Sequence, residues 1–427
     1  MGFLSGEKLI LGYDLGNEFC QISYAVSETG DVETLSQVAG EQNYNIPAVL
    51  CKRIGVNQWF YGKEALRYAE GQNGILVKDL LAQALDGEPV VIEGENFNPV
   101  ALLTLFVKRS LGLLTQVGSP DKISAMMITS QMLDHRMLET LSQVASGLHL
   151  KTDRVSFQNH TESFYHYMIH QPAALWAHQA LLMDYGEKCI RTYRMECNKR
   201  TTPVVAFIDE REYPFYPCEP LPEQQSLRER RMEELDEALL RIAEENCAEN
   251  LIDSVFLIGD GFHQEWMKKS LRYLCRGRRV FQGNNLFGKG ACQAMQPRLA
   301  PERTEKDYVF LGNEKCKANI GMKILRQGEE SYYALLDAGI NWYEAEYSFE
   351  FYLQGGDRLT LIITPLIGKQ VRTEQLVLED FPGTVARLKG HFFMKSEKRL
   401  VVEVTDLGFG EIRPVSGRSW TKEIDLY

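Results

Sequence analysis

The feature that most constrains this chain is a repeated turn. Leu9-Ile10-Leu11-Gly12-Tyr13 runs into Asp14-Leu15-Gly16, and Ala180-Leu181-Leu182-Met183 runs into Asp184-Tyr185-Gly186. The two aspartates stand 170 positions apart, and a second strand-like segment follows each turn. Apolar runs bounded by turn residues read as buried strands. Each copy therefore predicts a β-hairpin turning on Asp-x-Gly, and the pair predicts two similar halves. Glycine at such a turn lets backbone N–H groups approach an anion closely. Aspartate there can hold a metal-bound water or orient an attacking one. Two such hairpins facing across a cleft would form a phosphate clamp with Asp14, Gly16, Asp184 and Gly186 as binding residues. A third turn, Gly259-Asp260-Gly261, follows the apolar run Val255 to Ile258, so Gly259 and Gly261 are expected to cradle a nucleoside. The plainer alternative is three ordinary turns, each aspartate bonding its own backbone.

The surrounding pattern is mixed α and β. Strands are expected at Cys20 to Tyr24, Ile46 to Leu50, Ile123 to Ile128, Val204 to Phe207 and Val255 to Ile258. Helices are expected at Pro99 to Leu114, Leu138 to Leu148 and Ser226 to Glu245, the last with Leu235, Leu239 and Ile242 on one face. Beyond Pro301 short alternating strands follow one another, from Tyr332 to Val404, which predicts an antiparallel β-sandwich. Gly355-Gly356-Asp357 reads as a hairpin turn between two of them. The division expected is 1–300 for the α/β part (lobes about 1–178 and 179–300), a linker at 301–318, and the sandwich at 319–427.

Charge and cysteine usage exclude some functions. With 58 acidic against 47 basic residues and a net charge of −11, a general nucleic-acid binder is not expected. No apolar stretch approaches the roughly 20 residues that span a bilayer, so no membrane partner is expected. The nine cysteines include no Cys-x-x-Cys pair, which predicts reduced thiols, no zinc site and a cytoplasmic protein. His166 and His170 have metal-compatible spacing, but no matched carboxylate or cysteine accompanies them, and packing is the reading taken. Cys189 beside Lys188 is either an activated thiol or a plain strand cysteine. The basic runs Arg228 to Arg231 and Arg276 to Arg279 read as solvated.

Several segments in order resemble the nucleotide-binding domain of Hsp70 chaperones, within the actin/hexokinase superfamily. Gly12-Tyr13-Asp14-Leu15-Gly16 is similar to that family's first phosphate loop and Met183-Asp184-Tyr185-Gly186 to its second. Tyr44 to Val49 and Tyr61 to Ala65 resemble its early segments. Val255 to Gly261 with Asn284 to Ala291 resembles its adenosine loop and the helix after it. The C-terminal strands are similar to its substrate-binding sandwich. The resemblance implies an actin-like (ribonuclease-H-like) two-lobed fold, ATP or ADP with Mg as cofactor, and a peptide partner for the sandwich.

The departures are as informative. Asn17 and Glu18 stand where the family has hydroxyl residues, and Glu187-Lys188-Cys189 replaces its Gly-Gly-Thr. Each like-charge contact between such a glutamate and a phosphate costs about 1–4 kcal/mol at 4 Å. His160 stands in place of a glutamate. No lysine or arginine occurs from Asp79 to Val107, where a catalytic lysine is expected. The stretch from Phe207 to Ser254 is short for the subdomain that covers adenine, and no helical lid follows the strands. The sequence reading is therefore a non-catalytic Hsp70-like protein with no catalytic residues, no metal ligands and no cofactor, which binds a protein or peptide through its C-terminal sandwich. The alternatives are an ATP-binding chaperone with unusual phosphate loops, and a kinase of the same superfamily.

Overall fold

The computed structural model describes residues 8–26, 30–38, 40–200, 203–299, 308–326, 328–366, 370–380, 385–411 and 413–426. The chain divides into two compact units, Met1–Tyr308 and Val309–Tyr427. Residues 301–307 of the expected linker lie outside the described residues, and Tyr308–Phe310 form a short strand.

The first unit holds two sheets of one design. In the first, β1 (Leu9–Leu15), β2 (Phe19–Ala25), β3 (Glu33–Thr34), β4 (Ile123–Ser130) and β5 (Val155–Asn159) lie in the order β5-β4-β1-β2-β3. In the second, β6 (Gln179–Tyr185), β7 (Cys189–Asn198), β8 (Val204–Pro214), β9 (Ile252–Ile258) and β10 (Arg279–Gln282) lie in the order β10-β9-β6-β7-β8. In both, the first strand pairs antiparallel with the second and parallel with the fourth. All of β1 is buried, as befits a central strand with helices on both faces.

Seven helices of this unit matter for the cleft or the core: α1 (Leu80–Asp86), α2 (Pro99–Ser110), α3 (His135–Leu148), α4 (His160–Ile169), α5 (Gln225–Cys247), α6 (Lys269–Leu274) and α7 (Leu286–Leu299). Tyr13 points to one face of β1, where its hydroxyl meets Ser110 Oγ of α2 at 2.8 Å. Gly12 points to the other, where α7 lies so close that a Cβ on Gly12 would stand 2.1 Å from Gly288 O.

This last packing corrects the expected lobe boundary. Helix α7 belongs in sequence to the second half, yet its Ala291, Cys292, Ala294 and Met295 form one core with Ile10, Ala25, Ala125 and Met127 of the first sheet. Helix α4, from the first half, packs on α7 and reaches the second sheet through Tyr167 against Phe256. The exchange is possible because the touching positions are glycine and alanine, which let backbones approach.

The second unit is built from antiparallel strands. One sheet runs β12 (Glu329–Leu336), β11 (Ala318–Arg326), β14 (Arg358–Pro365), β15 (Arg372–Val377). The other runs β13 (Glu346–Gln354), β16 (Val385–Ser396), β17 (Arg399–Asp406), β18 (Ser419–Asp425). Leu361 and Ile363 of the first share a single core with Leu388, Phe392 and Val402 of the second, and Phe349 and Phe351 pack against it. The expected hairpin at Gly355-Gly356-Asp357 is corrected here. Strand β13 pairs with β16 and β14 with β11 and β15, so this turn carries the chain from one sheet to the other. Both flanking strands have an apolar face, and both faces are buried only if the strands oppose each other across the core.

Candidate functional site: an acidic cleft between two hairpins

The two hairpins match bond for bond. Asp14 pairs across its hairpin with Gln21, and Asp184 pairs with Arg191. Gly16 N–H donates to Phe19 O at 3.0 Å, and Gly186 N–H donates to Cys189 O at 2.9 Å. The repeat read from the sequence thus extends to register and turn closure. It also means that both glycine N–H groups are engaged within their own hairpins.

Asp14 is buried and bonded. Its Oδ1 lies 2.8 Å from His160 Nε2. Asn159 caps α4 through Glu162 N–H at 2.9 Å, which puts His160 in the helix's first position. The imidazole then stacks on Phe287 of α7, with ring centroids 3.8 Å apart. The histidine that stands in place of a glutamate is thus the direct partner of the first turn's aspartate, and the meeting of α4 and α7 brings it there.

Asp184 faces the same space. Burial pushes its carboxyl up to about 6; His160 and Arg191 oppose the shift, and Asp14 and Glu18 add to it. The native carboxyl therefore binds its proton above the ordinary value of 3.8, so the native state holds more protons than the unfolded chain between those two values. Stability falls as pH rises through that window and stays reduced above it, by on the order of 2 kcal/mol. Asp184→Asn is expected to raise stability by about 1–2 kcal/mol at pH 7.5 and to give no gain at pH 4. Urea unfolding at both pH values checks this, and an equal loss at both would count against it.

The cleft is crowded with carboxylates. Glu18 is raised by burial first, then by Glu187, Asp260 and Asp79. The charge of one turn glutamate thus acts on the other. Of the other turn groups, Asn17 and Arg191 are committed, whereas the exposed Lys188 side chain has no ion pair among the described residues. Asn17 accepts from Ala82 N–H at 3.2 Å and donates to Asp79 Oδ1 at 3.1 Å, so it caps α1. Arg191 pairs with Glu212 at 2.6 Å. Burial pushes the Cys189 thiol up, the opposite of activation.

Gly259 and Gly261 serve a different purpose from the one expected. A Cβ on Gly259 would stand 2.5 Å from Tyr185 O, and one on Gly261 would stand 2.2 Å from the Tyr185 ring. Tyr185 therefore takes the space these glycines open, and its hydroxyl donates to Tyr216 O at 3.0 Å. Asp260 instead accepts from Asn45 Nδ2 at 3.2 Å, and Asn45 Oδ1 accepts from Gln21 Nε2 at 2.5 Å. These bonds tie the two halves together beside a polar cavity of about 390 Å3 lined by Tyr44, Asn45, Asp260, His263 and Asn284.

One cation was missed by looking only from residue 79 onward. Lys78 is exposed, directly precedes Asp79, and has no ion pair among the described residues. Its signal was its place at the start of the helix that Asn17 caps. Among the described residues no group of three His, Cys, Asp or Glu side chains is arranged to hold a metal. All nine cysteines are free, and among the described residues no helix is long and apolar enough to cross a membrane.

The residues present do not fit a magnesium polyphosphate. Phosphate needs uncommitted N–H groups and positive charge. Here the turn glycines bond their own strands, His160 is held by Asp14, Arg191 is held by Glu212, and carboxylates line the opening.

The fold and cleft define a mixed α/β protein of two like sheets, tied by exchanged helices, with an antiparallel β unit after it. The chain belongs to the family described as family of unknown function (DUF5716) C-terminal, whose model matches residues 31–313. Residues 315–426 match a domain of unknown function (DUF8552). No curated protein matches the chain.

Proposed function

We propose that this is a non-catalytic protein of the actin-like, two-lobed class, resembling Hsp70, that binds a protein or peptide through its C-terminal sheets. The repeated sheet order with exchanged helices supports the actin-like reading. The observation that carries the non-catalytic reading is the pair His160–Asp14 at the centre of an acidic cleft. The His160 imidazole already bonds the Asp14 carboxyl that an external partner would use, and a polyphosphate would meet carboxylates. For the partner, the support is apolar surface on edge strands: Tyr332 on β12, Tyr352 on β13 and Val377 on β15 are all exposed. Unpaired edges accept an added strand, with side-chain pockets setting specificity.

Titration calorimetry tests the first part. No saturable binding of MgATP or MgADP is expected up to about 1 mM. A dissociation constant tighter than about 100 μM, weakened by Asp14→Ala or Asp184→Ala, would overturn it. The exposed Lys78 is the observation that favours the second reading, an ATP-binding chaperone, and that outcome would establish it. For the partner, the full chain should bind a labelled uncharged apolar heptapeptide, and Tyr352→Asp and Val377→Asp should weaken it about tenfold.

A further inference from the structure

A second surface lies on the first unit beside the second hairpin turn, where Phe215 N–H donates to Lys188 O at 2.9 Å. After β8 the chain runs through Tyr213-Pro214-Phe215-Tyr216 and faces α5 across an open groove of about 440 Å3. Its floor is rigid. Phe215 packs edge-on against Tyr185 at 5.0 Å and lies 6.3 Å from buried Trp266. Tyr213 is held by a bond from its hydroxyl to Glu245 Oε1 at 2.9 Å. Ala238 and Ile242 form the wall on the helix. Ordered aromatic side chains that are only half-buried are the usual anchors of recognition.

The charges at the groove point one way. Arg231 lies over the Tyr216 ring, 4.2 Å from its centroid. Arg241 lines the groove and donates from Nε to Glu237 O at 3.3 Å, leaving its other guanidinium donors available. Three of the acids nearby are paired. Glu245 pairs with Arg211 at 3.3 Å, Glu237 with Lys269 at 3.1 Å and Glu234 with Arg230 at 3.0 Å. Among the described residues neither Arg231 nor Arg241 has a carboxylate partner. In a chain of net charge −11, an aromatic groove edged by two unpaired arginines is a local reversal of sign.

We propose that this groove is a docking site for an extended, acidic and aromatic segment of a partner protein. The two arginines are ten positions apart on α5, about 15 Å along a helix. An extended segment of about five residues covers that span. It would carry a carboxylate near each end for Arg231 and Arg241, with apolar side chains between them on the Tyr213–Tyr216 floor. A basic segment is repelled, and an uncharged one leaves both guanidinium groups partly desolvated without a partner. The lining of the groove lies wholly within the first unit.

The test is fluorescence anisotropy on the full chain with three labelled pentapeptides: Asp-Phe-Leu-Tyr-Glu, Lys-Phe-Leu-Tyr-Lys and Asp-Ala-Ser-Ala-Glu. The first is expected to bind saturably, and the other two at least about tenfold more weakly. Arg241→Glu and Ala238→Trp, both on the helix surface, are each expected to weaken the first peptide about tenfold, and Arg241→Glu to improve the second. A urea midpoint for the first unit equal to that of the wild type shows that both variants are folded and that any loss belongs to this groove. No saturation, an equally tight basic peptide, or indifference to both substitutions overturns the proposal. So does a wild-type dimer in sedimentation that Arg241→Glu dissociates, because the occupant is then a second copy.

Discussion

Gly290→Ala is expected to destabilise the first unit by about 3 kcal/mol. In an isolated helix this change favours the helix by about 1 kcal/mol. Here the added methyl would stand 1.9 Å from Ser163 O and 2.7 Å from its carbonyl carbon. Those atoms belong to the backbone of α4, so no side chain can swing aside, and α4 and α7 must separate. That loosens the core shared with the first sheet and moves His160, which stands at the head of α4. Gly112→Ala is the control, because a methyl there meets nothing within 4 Å. Urea midpoints of the two variants decide the matter. If Gly290→Ala is as stable as the control, the helices do not cross as described.

Asp406→Ala should have an effect of similar size in the second unit, about 3 kcal/mol. The carboxylate is fully buried at the end of β17. It accepts from Gly408 N–H at 3.1 Å, Ser416 N–H at 3.1 Å and Arg413 at 3.0 Å. Removing it strands the buried Gly408 N–H, the part-buried Ser416 N–H and a partly buried guanidinium. Burial alone would push its pKa up, but the bonds from Ser416 and Gly408 and the charge of Arg413 outweigh burial and hold it below the ordinary value. The stabilisation is therefore present above the unfolded-state pKa of 3.8 and is lost as pH falls through the lower native value. Denaturation followed at pH 7 and pH 3 should show a large difference between wild type and variant at the first and a smaller one at the second. A gap that does not narrow in acid would mean that the charge plays no part.

The two sites oppose each other in sign. Asp406 is ionised and fully bonded and stabilises most at neutral pH, whereas Asp184 is buried among other acids and costs stability there. A structural carboxylate is surrounded by donors. A carboxylate held against its solvation marks a place where stability is not the quantity being optimised.

Local order carried the readable part of the fold. Strands β1 and β6 were legible because apolar runs end at Asp-x-Gly, and α5 because Leu235, Leu239 and Ile242 repeat on one face, where all three are buried. Helix α3 starts at His135, earlier than its apolar pattern, because Asp134 caps it through Met137 N–H at 2.7 Å. Strand β8 runs on to Pro214 although its end is polar, because Asp209 pairs with Arg194 and Glu212 with Arg191 on β7. Neither extension has a hydrophobic period to reveal it. Strands β11, β15 and β18 were not foreseen, and the turn at Gly355 was given to the wrong partners, because strand pairing is a long-range choice.

The two hairpins, their spacing of 170 residues and the glutamate at each turn were readable from the chain alone. These are properties of neighbours along the chain, where turn chemistry and side-chain charge act directly. Only the tertiary structure decided what meets the turns. It brought His160 to Asp14, filled the Gly259 and Gly261 spaces with Tyr185, and returned α7 to the first sheet. Those outcomes depend on which backbones can approach within a few ångströms, and packing between distant segments sets that.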